Sequence, residues 1–349
     1  MPPNGHADVR SRDVPVPEPD LTPEAVIGRA RALIPAIRDQ QDEAERLGHH
    51  TAELDRQFAA AGFYRILQPR RFGGYEFGLP TFWQVMLAVS EGDPGTGWGL
   101  TLGAHHALVA GTTDRIAVVI PREQVTVLDD WGDGAVLGMN ASGSNSVRVE
   151  AVFVPAHRTA PGDWTHLDTQ APGVALHGNP MYCGRIYAVY HAGLVIPVIG
   201  AARAALADYE QIITTKMTYF PPQVPRYTHP DYQRAYGQAL ALTDAAEAIV
   251  LHAGERYMEL AERWDHAGQP FTREEDVRLF AALQQAGQLA ARAVEIIFAS
   301  AGSSAAKRGT RLQRYYRDVA MYQGHIAAQH LATAGDLARV HFSLPDSLF

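Results

Sequence analysis

From residue 188 onward the chain reads as helix after helix. Four stretches, near 188–219, 231–265, 272–300 and 309–340, are each long enough for a bundle helix. Thr272 and Glu275 stand in capping-box relation ahead of one of them. Behind that box, Val277, Phe280, Leu283, Ala290, Val294 and Ile297 recur at helical spacing and supply an apolar stripe. Each such helix has one face to bury, and four in succession satisfy one another as a bundle.

The chain ahead of this block has two characters. Residues 1–21 are rich in Pro and charge and are expected to form a mobile tail. Thr22 is placed to cap a helix with Pro23 at its first position, and Val26, Ala30, Leu33, Ile34 and Ile37 mark its apolar face. Further helices are expected over 51–61, 81–90 and 96–110, with a Gly- and Pro-punctuated loop between the first two. At Thr112 the pattern changes. Segments 115–120, 124–128 and 146–154 are rich in β-branched residues and bounded by turns. The expected organisation is a tail (1–21), a helical domain (22–111), a small β domain with a loop (112–187) and a helical bundle (188–349). The fold class is mostly α.

Composition narrows the chemistry. A net charge of −8 argues against non-specific nucleic-acid binding. The single cysteine, Cys183, rules out an internal disulfide and a thiolate metal cluster, and reads as a small buried hydrophobe. The most apolar stretch, 188–207, is broken by His191, Pro197 and Arg203, so it reads as buried rather than membrane-spanning. There is no secretory h-region, and a cytoplasmic location is expected. No metal-binding spacing, P-loop, G-x-S-x-G elbow or G-x-G-x-x-G is present, so no metal site is expected.

Candidate site residues gather in two places. Stretch 298–330 opens with the small-residue turn AGSSA, which includes Gly302 and Ser303 and can bring backbone N–H groups close to a ligand. Five cations follow within eleven residues: Lys307, Arg308, Arg311, Arg314 and Arg317. They suit a phosphate-bearing ligand or a subunit contact equally well. Read as one helix over 311–330, the segment places Arg314, Asp318, Met321 and His325 on a single stripe. On residue types alone that stripe also fits a solvated face with an Arg–Asp pair. The second place is the polar, glycine-rich loop GMNASGSNS, carrying Ser142 and Ser144, which enters a strand. Adjacent His105 and His106 cannot ligate one metal from a helix. One of them is free to line a pocket, or each is a satisfied core histidine.

Three segments, in order along the chain, resemble the acyl-CoA dehydrogenase fold, and most of all its oxygen-using branch of two-component flavin-dependent monooxygenases. They are AAAGFYRILQPRRFGGYEFGLPTFWQVMLAVSEGDPGTGW, GSNSVRVEAVFVPAHRT and AGSSAAKRGTRLQRYYRDVAMYQGH. The resemblance implies a helical domain, a β domain and a C-terminal four-helix bundle, assembled as a homotetramer or at least a dimer. It disfavours acyl-CoA dehydrogenation, because Gln323 stands near the place of the family's catalytic glutamate. His325 falls where the monooxygenase branch carries a histidine facing flavin and the substrate hydroxyl.

What the resemblance implies about activity is an oxidoreductase that hydroxylates an aromatic or polyketide-type small molecule. Its FMN or FAD would arrive reduced from a separate reductase. His325 would then be the catalytic base, with Asp318 orienting it. Ser142, Ser144, Gly302, Ser303, Arg314 and Arg317 would bind the cofactor, the arginines across a subunit interface. Trp98, His105 and Met321 would contact the substrate. One departure bears on the cofactor: 112–161 holds about half of the family's β region, which predicts weak flavin binding. The rival reading is a scaffold that has lost flavin and performs acid–base chemistry, as a cyclase or dehydratase, or binds a ligand.

Overall fold

In a computed structural model of the chain, residues 14–105, 116–161 and 173–345 are described. The N-terminal part holds α1 (Pro23–Asp39), α2 (Gln41–Leu47), α3 (Ala52–Ala61), α4 (Leu79–Gly92) and α5 (Pro94–His105). Local chemistry sets their ends. The Thr22 hydroxyl accepts the Ala25 N–H at 3.2 Å, and Thr51 accepts that of Leu54 at 3.1 Å. Gly62 closes α3 in the left-handed region, φ 86°. The expected helix over 96–110 is described as far as His105; the rest of it lies outside the described residues. Helix α2 had no clear signal in the sequence. The mobile-tail expectation needs correction for residues 14–21. The Val14 N–H donates to Arg71 O at 2.9 Å, and Arg29 pairs with Glu18 at 2.6 Å, fastening this stretch to the helical domain.

The β region is small. Strand β1 (Ile116–Val118) pairs with β4 (Thr159–Pro161), and β2 (Thr126–Val127) with β3 (Val147–Arg148), giving two separate antiparallel ladders of two strands. The three strands expected from sequence are therefore shorter than their β-branched runs, and β4 is an addition. Val119, Val147 and Phe153 stay exposed: among the described residues no second layer covers them.

A short helix α6 (Gly173–His177) leads into the bundle: α7 (Tyr187–Thr215), α8 (Pro230–Ala267), α9 (Arg273–Ala301), α10 (Arg311–Gln323) and α11 (His330–His341). The capping box of α9 forms as its sequence requires. Glu275 N–H donates to the Thr272 hydroxyl at 3.3 Å, and Thr272 N–H donates to the Glu275 carboxylate at 2.9 Å. Helix α7 is apolar enough to span a membrane by length and composition, yet 89% of its most apolar window is buried inside the protein. It packs against α4, α5, α8, α9 and α10 and is the centre of the core. Cys183, just before it, is buried.

The last expected helix, over 309–340, is two helices. Helix α10 stops at Gln323, and α11 begins at His330. Gly324 ends the first, and His325 takes extended backbone (φ −78°, ψ 151°) with its own ring accepting the Ala327 N–H at 3.1 Å. A side chain that caps the following turn competes with helix continuation. His325 therefore leaves the stripe that Arg314, Asp318 and Met321 share.

Candidate functional site

A cavity of about 250 Å³ lies where α5, α7, α10 and the loop before β3 meet. Helix α5 contributes Trp98 and Leu102, one turn apart, and α7 contributes Tyr190 and Leu194 in the same relation. The end of α10 adds Met321 and Tyr322, and the extended residue after it adds His325. The remaining wall is Trp131, Met139, Ser142 and Ser144. Wider grooves exist, one of about 700 Å³ between α8 and α9, but its Arg256, Arg278, Glu274 and Glu275 are engaged in ion pairs with one another or with neighbours. The smaller cavity has what a ligand site for a flat molecule needs: aromatic and thioether walls with a few polar groups.

The electrostatics of the cavity centre on His325. Its ring meets Trp98 edge-on, centroids 5.4 Å apart at 82°. Burial lowers its pKa below the ordinary histidine value, so it is neutral at pH 7. Because Nδ1 accepts the Ala327 N–H, the neutral ring carries its proton on Nε2. Behind the wall, His191 is buried between Tyr187 and Phe280, ring centroids 4.6 and 4.3 Å away, and shares Nδ1–H with Tyr187 O at 2.8 Å. Burial, and secondarily the nearby His325, push it down to about 4. The Ser142 and Ser144 hydroxyls bond each other at 2.9 Å. The Tyr322 hydroxyl lies away from water against Gly287 of α9, with no hydrogen-bond partner among the described residues.

Of the residues singled out in the sequence, Trp98, Ser142, Ser144, Met321 and His325 come together in this cavity. His105 is the last residue of α5, and its side chain lies outside the described residues. Asp318 is buried, but its carboxylate accepts the Met139 N–H at 2.6 Å instead of orienting His325, whose ring is set by Ala327 and Trp98. The break after Gln323 is the reason: it turns His325 off the Asp318 face. Burial, and then the neighbouring Asp93, push the Asp318 carboxyl up to about 7 against the opposing pull of Arg317 and Arg314.

The arginines expected at a flavin phosphate are committed within this chain. Arg314 is 7% exposed and donates to Glu45 at 3.0 Å, to Gln41 at 3.1 Å and to Asp42. Arg317 donates to Glu45 at 2.6 Å and to Leu137 O at 2.8 Å. Helix α2, illegible in the sequence, is what absorbs them. Gly302 and Ser303 lie outside the cavity wall. Their turn sits beside Arg226, which donates to Ala301 O at 3.0 Å, and Lys216, which donates to Ser304 at 2.9 Å. Trp131, Met139, Tyr190, Leu194, Leu102 and Tyr322 were not anticipated; only the i,i+4 pairs on α5 and α7 left a trace in the sequence.

Comparison with known proteins agrees with this architecture. Residues 192–330 match the family described as acyl-CoA dehydrogenase, C-terminal domain. The chain is 25% identical to a pigment production hydroxylase from a Rhodococcus species, over 94% of this chain and 99% of that one. It is 23% identical to the oxygenase subunit HsaA of a flavin-dependent monooxygenase from Rhodococcus jostii, over 86% of this chain and 93% of that one. Among solved structures, XiaF from a Streptomyces species, in complex with FADH2 and glycerol, superposes with a TM-score of 0.82 at 19% identity, covering 94% of this chain and 99% of that one. The pigment hydroxylase alignment runs over 393 positions, whereas 94% of 349 residues is about 328, so about 65 positions have no counterpart here.

Proposed function

We propose, for a chain that carries the acyl-CoA dehydrogenase fold and is distantly homologous to flavin-dependent monooxygenase oxygenase components, that it hydroxylates a small aromatic or polyketide-type compound with reduced flavin. The observation that carries this reading is the convergence of Trp98, Ser142, Ser144, Met321 and His325 on one cavity. The donor set fits a flavin ring: flat apolar walls from Trp98, Trp131 and Met139, and the hydroxyls of Ser142 and Ser144 for its polar edge. Bound flavin supplies the electrons that activate dioxygen. FMN and FAD both meet these requirements. A separate reductase would supply the reduced form, since the HsaA relative is by name an oxygenase subunit.

The protein's own part follows from the tautomer of His325. With Nδ1 tied to Ala327, the ring offers Nε2–H. It serves as a donor to the substrate oxygen, stabilising a bound phenolate or enolate and so raising the electron density of its ring. This replaces the base role expected from sequence, because the basic nitrogen is already engaged. The indole, phenol and thioether walls exclude water from the oxygen chemistry.

The short β region favours a second reading, a flavin-free scaffold for acid–base chemistry. Among the described residues, two two-stranded ladders cover little of a ring. Titration with FMN and FAD, oxidised and reduced, separates the two. The expected outcome is binding of reduced flavin at micromolar affinity or weaker, no more than about 8 kcal/mol. Tight stoichiometric yellow flavin after purification would refute the weak binding. Absence of binding in every form would refute the monooxygenase reading.

A further inference from the structure

One wall of the cavity is not made of regular structure. Between β2 and β3 the chain runs as a loop, and it is this loop that carries Trp131, Met139, Ser142 and Ser144. A loop in such a position needs an external template to hold its shape. Three successive residues are fastened to the backbone and side chains of α10. Leu137 O accepts from Arg317 at 2.8 Å. Gly138 lies so close that a Cβ there would be 2.3 Å from Arg317 O, so only glycine permits the approach. Met139 N–H donates to Asp318 at 2.6 Å. The Met139 carbonyl then receives the Trp131 indole N–H and the Ser142 N–H, both at 3.0 Å. One residue, Met139, thus links α10 to Trp131 and Ser142, two residues that line the ligand space.

We propose that Asp318 is a positioning residue: its carboxyl holds Met139 against α10 and thereby sets the loop wall of the cavity, where no strand lies among the described residues. Packing alone does not account for an aspartate here. A buried carboxyl is costly, and an apolar side chain would fill the space; but an apolar residue would leave the Met139 N–H unpaired in the interior. The charges of Asp93, Arg314 and Arg317 act on the same carboxyl, and the Met139 N–H donates the hydrogen bond that it accepts. The inference rests on the proposed function only in taking this cavity as the ligand site.

Three full-length variants test it. Asp318→Asn keeps an acceptor of the same shape. Asp318→Ala removes it. Gly138→Ala separates the loop from α10 without touching any charge. Amide hydrogen exchange over 131–144 is read alongside binding of reduced FMN under anaerobic conditions. Asp318→Ala and Gly138→Ala are expected to speed exchange at Met139 and Ser142 by about ten-fold or more, the effect of losing one buried hydrogen bond, and to weaken reduced FMN by a similar factor. Asp318→Asn is expected to stay within about three-fold of the parent on both. Unchanged exchange in Gly138→Ala and Asp318→Ala overturns the proposal, as does a loosened loop that binds reduced FMN as the parent does. Should Asp318→Ala not fold, Gly138→Ala and Asp318→Asn still decide it. A parent protein that binds no FMN refutes the proposed function instead, and the exchange comparison alone then judges the latch.

Discussion

Replacing Asp318 by asparagine should change how stability depends on pH, and the change can be worked out from its surroundings. The side chain is 3% exposed, and burial together with Asp93 pushes its carboxyl up to about 7. In the unfolded chain the same carboxyl titrates at about 3.9. The folded value is the higher one, so the native state keeps a proton that the unfolded chain has released. The stabilisation belonging to the protonated form is complete below the unfolded value and is lost as pH rises toward and through 7. Each pH unit in that window costs about 1.4 kcal/mol, or about 3 kcal/mol between pH 4.5 and pH 7. Asparagine cannot ionise and escapes this loss. The stability of Asp318→Asn relative to the parent should therefore rise by about 3 kcal/mol across the window. His191 and Asp276, which titrate at about 4 and about 6, are common to both proteins and cancel in the difference. Urea denaturation followed by far-UV circular dichroism at half-unit pH steps measures it. A difference that stays flat, or that falls with pH, would show that Arg314 and Arg317 hold Asp318 ionised and would refute the reasoning.

Two further outcomes follow from the site and the assembly. His325→Ala should lower turnover by about 100-fold with unchanged helical content, and near-parent turnover in the variant would remove His325 from the mechanism. We also expect a homotetramer or dimer, consistent with exposed Tyr219 and Phe220 between α7 and α8; light scattering that returns a monomer near 38.1 kDa at micromolar concentration would rule out a site completed by a second subunit.

The helical frame was legible because its signals are local. Thr22, Thr51 and the Thr272–Glu275 box cap helices through atoms within three residues of themselves, and the α9 stripe needs only its own periodicity to choose a buried face. The same holds for the resemblance that pointed to Trp98, Ser142, Ser144, Met321 and His325, which the fold brings to one cavity. What the residues could not announce were partnerships across long separations. Arg314 and Arg317 look like a phosphate cradle until α2, about 270 residues earlier, supplies Gln41, Asp42 and Glu45. Asp318 looks like a partner for His325 by helical spacing. The helix instead ends at Gln323 because His325 caps the next turn, and Asp318 is left facing a loop that began far upstream. Periodicity reports which face of a helix is buried. Which charge meets which, and where a helix yields to a competing hydrogen bond, is decided only when distant segments share the same space.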